Sequence, residues 1–107
     1  MVVVYEVNLT VQPEIVEDYG SWLEKHIHEI MKIDGFISAQ WMVREEDGDG
    51  GRWTILYTLR DRDALENYQA NHAKRLIGEG LDRFGGKFEA SRRIMQEKKA
   101  FEATGPA

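Results

Sequence analysis

The sequence contains no cysteine, which excludes disulfide bonds, a thiolate nucleophile and the thiolate-rich zinc sites. It also lacks any apolar run approaching the ~18 residues that a membrane-spanning helix needs. The apolar stretch at residues 1–5 has no basic residue before it and is followed at once by Glu6, which is not the pattern of a signal peptide. These absences predict a cytoplasmic protein, in a reducing compartment, that does not bind a membrane.

Clusters of positive charge are missing as well. The 107 residues include 14 lysines and arginines against 19 aspartates and glutamates, and the two signs are interleaved along a chain of formal net charge −5. Because nucleic-acid binding requires basic groups concentrated on one surface, nucleic acid is not an expected partner. With 42% hydrophobic and 31% charged residues, the composition is that of a single domain with one core.

Four segments alternate between apolar and other residues, which is the pattern of strands that bury one face. We predict these strands at residues 3–11, 36–45, 52–60 and 87–95. A polar, glycine-rich turn at residues 46–51 joins the second and third strands into a hairpin. The side chains that alternation places toward a covering layer are Val3, Tyr5, Val7, Leu9, Ile37, Ala39, Trp41, Val43, Trp53, Ile55, Tyr57, Leu59, Phe88, Ala90 and Ile94.

Two segments between the strands have apolar residues three and four positions apart, which is typical of amphipathic helices. The first begins near Pro13 and continues to Met31. The second follows Asp61 and Asp63, either of which can cap it. The order βαββαβ predicts a ferredoxin-like α+β fold, with a four-stranded antiparallel sheet and two helices on one of its faces.

The other face of the sheet is predicted to be mixed in character. It would carry Val4, Met42, Leu56 and Met95 among short hydroxyl and amide side chains, whereas an open sheet usually displays lysines and glutamates. A second copy of the chain could cover such a face, and we therefore expect a homodimer. Opposite charges would then meet across the interface, with Glu6 or Glu89 facing Arg44 or Arg93. The alternative is a monomer whose open face is solvated.

The predicted domain spans residues 1–95, and residues 96–107 form a tail. The tail loses the alternation of the strands and ends in small residues with one glycine and one proline. We expect it to be frayed or to contact a dimer partner.

Several short motifs, in this order along residues 4–94, resemble a family of small bacterial proteins catalogued as domain of unknown function 4286. The motifs are Tyr5-Glu6-Val7-Asn8-Leu9, Trp22-Leu23 with His26, Gly35-Phe36 with Ala39, Arg75-Leu76, Phe84-Gly85-Gly86 and Ser91-Arg92-Arg93. That family is similar to the dimeric α+β barrels, which include antibiotic biosynthesis monooxygenases, muconolactone isomerase and stress-responsive barrel proteins. The resemblance implies a homodimer whose two sheets form a shared barrel, and it names no reaction.

Several enzymes of that wider group hold their substrate between sheet and helices without a metal or flavin. By that resemblance, a small apolar or aromatic metabolite could bind here in a cleft between the helices and the sheet. The candidate ligand-binding residues are Trp22, His26, Trp41, Tyr57, His72 and Arg92. None of the enzymes' catalytic motifs is matched residue by residue, so no catalytic residue is assigned.

Histidines and aromatic residues can serve the core as well as a site. His26 and His72 lie on the buried stripes of the two predicted helices, where they could transfer a proton or simply satisfy a backbone carbonyl. The other tyrosines and tryptophans could line the same pocket or belong to the core. We expect no metal, because His26 and His28 point to different helix faces and no third ligand accompanies them. We also expect no cofactor.

Arg92 is unusual, because alternation from Phe88 and Ala90 turns it toward the helices. It could pair with Glu24 or Asp18, hold an anionic ligand, or be turned outward by a bulge.

Two functions follow from these patterns: a protein that binds a small molecule, or a dimeric module that acts without catalysis by binding another protein. A cavity of ~300 Å³ or more with convergent polar groups would favour the first. Aromatic side chains that interdigitate without a void would favour the second.

Overall fold

The strands and helical segments predicted from the sequence are present in the computed structural model of the chain, which describes residues 1–48 and 50–106. Asp49, in the predicted turn, and Ala107, at the end of the predicted tail, lie outside the described residues. The strands are β1 (Val3–Val11), β2 (Phe36–Val43), β3 (Arg52–Leu59) and β4 (Phe88–Gln96), and the helices are α1 (Val16–Ile30), α2 (Arg62–Asn71) and α3 (Ala73–Phe84). Short 3-10 turns cover Pro13–Ile15 and Glu45–Asp47.

The four strands form one antiparallel sheet in the order β2-β3-β1-β4. Strands β1 and β3 are therefore central, and β2 and β4 are the two edges. Side chains of all three helices pack on one face of this sheet, among them Leu23 of α1, Tyr68 of α2 and Leu76 of α3. This arrangement confirms the predicted ferredoxin-like α+β fold.

Burial is concentrated on the two central strands. In both, every second side chain is buried, and Ile55 and Leu59 of β3 are at most 1% exposed. The edge strands are covered less, because the helices do not extend over their outer sides. Val43 and Ile94 share the helix face with their register partners but remain 44% and 40% exposed.

A β-bulge between Phe36 and Ser38 corrects the predicted side of one residue in β2. Phe36 is the register partner of Leu59, and Ser38 is the next residue in register, so Ile37 falls outside the alternation and is 56% exposed. Phe36 takes the covered position that alternation gave to Ile37. Its ring lies edge-on to Tyr57 and Tyr68, with ring centroids 5.8 and 5.3 Å apart.

The second helical segment was predicted as one helix, and the structure divides it at His72. The φ and ψ angles of this residue, −131° and −35°, are not helical, so α2 ends before it and α3 begins after it. Asp61 caps the start of α2 by accepting a hydrogen bond of 2.9 Å from the backbone N–H of Ala64.

Candidate ligand site

A cavity of about 200 Å³ lies between the sheet and the helices. Its floor is formed by alternate side chains of the central strands, including Val7 of β1 and Ile55 of β3, and its roof by α1 and α3. Two lining residues are exposed to solvent, Leu81 near the end of α3 and Arg92 on the edge strand β4. They place the mouth of the cavity between α3 and β4, where the helices leave the sheet uncovered.

The roof depends on a close approach between α1 and α3. Trp22 and His26 are four residues apart on α1, so they lie on the same face of the helix, and their rings stack with centroids 4.5 Å apart. Gly80 of α3 lies directly against Trp22, and a Cβ atom at this position would be 2.9 Å from Cη2 of the indole. The absence of a side chain at Gly80 therefore gives Trp22 its place in the cavity wall.

All four tyrosines of the chain line the cavity: Tyr5, Tyr19, Tyr57 and Tyr68. Burial raises the pKa of each phenol, to about 12 for Tyr19 and for Tyr68. The neighbouring phenols raise the pKa of Tyr57 further. Neutral hydroxyl groups thus converge on the cavity at physiological pH, each able to donate and accept a hydrogen bond.

His26 contributes a polar atom that the protein does not satisfy. Its Nδ1 is buried and, within the described part of the chain, has no hydrogen-bond partner. Burial is the main cause of a lowered pKa for this imidazole, opposed by the carboxylates of Glu79 and Glu29 and reinforced by Arg92 and Arg75. The ring is therefore neutral at pH 7 and has one nitrogen free to bond with a molecule in the cavity.

Arg92 lies on the helix face of the sheet, opposite Val7 in the register of β1 and β4. Two of its predicted explanations are wrong. The pairing of β4 with β1 is regular from Phe88 to Gln96, so no bulge turns the side chain away. Among the residues that the structure describes, neither Glu24 nor Asp18 nor any other carboxylate forms an ion pair with it.

Four of the six residues that the sequence suggested for a ligand site line this cavity, namely Trp22, His26, Tyr57 and Arg92. Trp41 and His72 do not. Trp41 lies on the edge strand β2 and packs edge-on against Trp53, with centroids 4.8 Å apart. His72 occupies the break between α2 and α3, which removes it from the face shared by Tyr68 and Leu76.

Sequence reasoning missed the part that α3 plays in the site. Gly80 is not among the residues predicted for the site, although it follows Leu76 by four residues and so shares its face. A glycine in register with a buried helical stripe is a signal of close approach by a large side chain.

Some features are absent from the described residues. They contain no group of three or more histidine, aspartate and glutamate side chains placed to hold a metal ion. None of their helices is both long enough and apolar enough to cross a membrane.

Solved structures share this fold. A variant of SnoaB from Streptomyces nogalater, described as a cofactor-independent oxygenase, is similar with a TM-score of 0.74 and 15% identity over 95% of this chain and 98% of that chain. An antibiotic biosynthesis monooxygenase is 16% identical, with a TM-score of 0.68 over 92% of this chain and 100% of the other. A conserved protein of Methanosarcina mazei Go1 is 23% identical, with a TM-score of 0.68 over 92% and 95% of the two chains.

At these identities the likeness establishes the fold alone. No curated protein matches the sequence. Residues 2–98 match the sequence profile of a family described as a domain of unknown function, DUF4286. The match spans nearly the whole chain, which therefore belongs to the DUF4286 family.

Proposed function

We propose that this protein binds a small apolar or aromatic metabolite in the cavity between helices and sheet, and that it does so as a homodimer. The observation that supports binding is an apolar cavity into which polar groups converge, one of which, the buried Nδ1 of His26, has no hydrogen-bond partner in the described part of the chain. These groups are the buried Nδ1 of His26, the four tyrosine hydroxyls and the guanidinium of Arg92.

The cavity is costly to keep for structural reasons alone. Side chains that line unfilled space lose packing contacts on that side, so a cavity of about 200 Å³ destabilises the fold. Typical domains have only about 5–15 kcal/mol of stability in total. Ala90, a small residue in its wall, could be larger if the space served no purpose. An occupant explains why the space is kept.

The volume limits what that occupant can be. Pockets for drug-sized ligands are about 300–1,000 Å³, and this cavity is smaller. The likeness to a structure described as a cofactor-independent oxygenase supports a small-molecule site in a protein of this fold. The proposal concerns binding, and it assigns no reaction.

The homodimer is supported by the face of the sheet that the helices leave bare. The chain is only 20 Å thick in its smallest dimension, which is one sheet and one layer of helices. Met42 and Met95 on the bare face are 50% and 38% exposed. A second copy would cover these side chains, and the exposed tail, in which Phe101 is 82% exposed, would contact that copy.

One predicted detail of the interface needs correction. The carboxylate of Glu6 accepts a hydrogen bond of 2.7 Å from Nε of Arg93 in the same chain. It also accepts one of 2.8 Å from the amide of Asn8. The charges of Glu6 and Arg93 are thus paired within one subunit, so the interface does not need to pair them.

Binding is tested by screening a metabolite library for compounds that raise the thermal unfolding midpoint. Ala90→Leu adds volume inside the cavity, and we expect it to abolish the shift produced by any hit. Ala70→Leu makes the same change on the exposed surface of α2 and should leave the shift intact. A shift that survives in Ala90→Leu would place the ligand elsewhere, and a library without any hit would count against binding.

The homodimer is tested by light scattering coupled to gel filtration. We expect the mass of two chains for the native protein and of one chain for Leu56→Lys, which places a charge in the middle of the bare face. Gln69→Lys adds the same charge on the exposed side of α2 and should remain dimeric. A native protein with the mass of one chain at all concentrations would refute the dimer.

A further inference from the structure

Two consecutive arginines of β4 lie in opposite electrostatic situations. Arg93 is on the bare face of the sheet, where Glu6 neutralises it at 2.7 Å. Arg92 is on the helix face, and no carboxylate among the described residues forms an ion pair with it. The strand is regular through both positions, so this difference comes from the sequence and not from a distortion of the backbone.

The two carboxylates that act on His26 both contact another arginine. Glu29 and Glu79 both bind Nη1 of Arg75, at 3.4 and 3.1 Å. With His26 neutral, Arg92 is the one formally charged side chain among the described residues that line the cavity. The lining of the cavity therefore carries one positive charge, at its mouth, and no carboxylate of the described residues lines the cavity beside it.

The charge of Arg92 acts on the polar groups inside. It lowers the pKa of all four tyrosines against the stronger effect of burial, and for Tyr5 a side-chain interaction with the guanidinium adds to the effect of its charge. A negative group bound at Arg92 would thus lie within reach of the Tyr5 hydroxyl as a second donor. Arginine presents its N–H groups as a planar fork that matches a carboxylate.

The size of the cavity restricts the rest of the ligand. An engineered apolar cavity of about 150 Å³ admits benzene. The 200 Å³ available here fits one six-membered ring with a small substituent, and the stacked rings of Trp22 and His26 provide a flat wall for it. Two or more fused rings would require the roof to move.

Resting on the proposed function, we infer that the cavity binds a single-ring carboxylate, with the carboxylate on Arg92 and Tyr5 and the ring against Trp22 and His26. The inference defines both the charge and the size of the ligand, neither of which the proposed function specifies.

The test uses benzoate and its neutral counterpart benzamide, titrated into the native protein and followed by ligand-observed NMR. We expect benzoate to bind at least about tenfold more tightly than benzamide, since a charge-assisted bidentate contact is stronger than a neutral one. A further titration with 2-naphthoate, which has a second ring, should give weaker binding than benzoate.

Two matched variants assign the preference to its residue. Arg92→Met, which removes the exposed guanidinium and keeps an unbranched apolar side chain, should bind benzoate and benzamide equally. Arg93→Met makes the same change on the other face and should keep the preference. Urea unfolding checks that both variants fold, and Arg92→Gln provides a second charge-free variant.

Each contrary outcome has a separate meaning. Equal affinities for the two probes in the native protein, or a preference that persists in both Arg92 variants, would overturn this inference and leave the cavity as a site for neutral ligands. Tighter binding of 2-naphthoate would overturn the limit on size. Failure of both probes while library compounds still bind in an Ala90-dependent manner would also overturn it, and failure of all compounds would remove the proposed function as well.

Discussion

The two faces of the sheet bury their side chains by different means. On β1, Tyr5 is 5% exposed on the helix face, and Glu6, the next residue, is 7% exposed on the bare face. Tyr5 is covered from above by the helices. Glu6 is covered from the side by hydrogen-bonded neighbours within the sheet, since Arg93 and Asn8 bind its carboxylate and Thr54 binds the Asn8 side chain at 2.7 Å.

The comparison shows that burial does not identify which face is the core. The helix face depends on packing, and its polar groups line the cavity. The bare face depends on a short chain of polar contacts that runs from β4 through β1 to β3. The two faces should therefore respond to different perturbations, and three measurements can separate them.

The largest effect is expected from shortening neighbouring residues of β3 on opposite faces. Ile55 is 1% exposed and lines the cavity, so Ile55→Ala enlarges a void and should destabilise the protein by about 3 kcal/mol. Leu56→Ala removes a partly exposed side chain from the bare face and should cost under about 1 kcal/mol in the isolated chain. Urea unfolding at neutral pH gives both values.

Protein concentration sharpens this first comparison. If two copies cover Leu56, the cost of Leu56→Ala should grow with protein concentration, because the variant weakens association. Equal costs for both substitutions at every concentration would mean that the helix face is no more tightly packed than the bare face.

The second measurement concerns alkaline pH, which should affect the helix face alone. All four tyrosines lie there, and burial raises their pKa, to about 12 for Tyr19 and Tyr68. A raised pKa in the folded state stabilises the protein fully below the unfolded value of ~10, and this stability is lost as pH rises toward the folded value. We expect much less tyrosinate absorbance from the native protein at pH ~10 than from the urea-unfolded chain, which is half ionised at that pH. Tyrosinate formed near that pH without unfolding would show that the cavity is well hydrated.

The fold could be predicted from the sequence because the spacing of apolar residues, every second residue in strands and every third or fourth in helices, is most regular where the chain is most buried. Alternation in β1 and β3 and the three-and-four spacing of α1 determine the central strands and the helix above them. The prediction of side-chain positions failed where a single residue interrupts the strand alternation or the helical spacing. The bulge at Ile37 and the non-helical His72 each move the side chains around them to another face, and neither position has a glycine or proline that would indicate it.

The candidate site was predicted in part for the same reason. The structure follows the predicted helical spacing at Trp22 and His26 and the predicted strand alternation at Tyr57 and Arg92. These four residues therefore line the cavity. Trp41 follows the predicted alternation but lies on an edge strand. The alternation of apolar residues shows which face of a sheet a side chain occupies, and it does not show the order of the strands. His72 was expected on a helical stripe that ends one residue before it.

The third and smallest effect concerns acid pH and the bare face. The pKa of Glu6 is lowered, mainly by the hydrogen bond from Arg93 and next by that from Asn8. A lowered pKa stabilises the folded state fully above the unfolded value of ~4.3, and this stability is lost as pH falls through the folded value. Glu6→Gln should therefore be less stable than the native protein by about 1 kcal/mol at pH 7, with the difference vanishing in strong acid. Glu89→Gln, an exposed change on the same face, should show no such difference. A gap between native and Glu6→Gln proteins that is the same at every pH would assign the burial of Glu6 to packing alone, and the contrast between the two faces would then be lost.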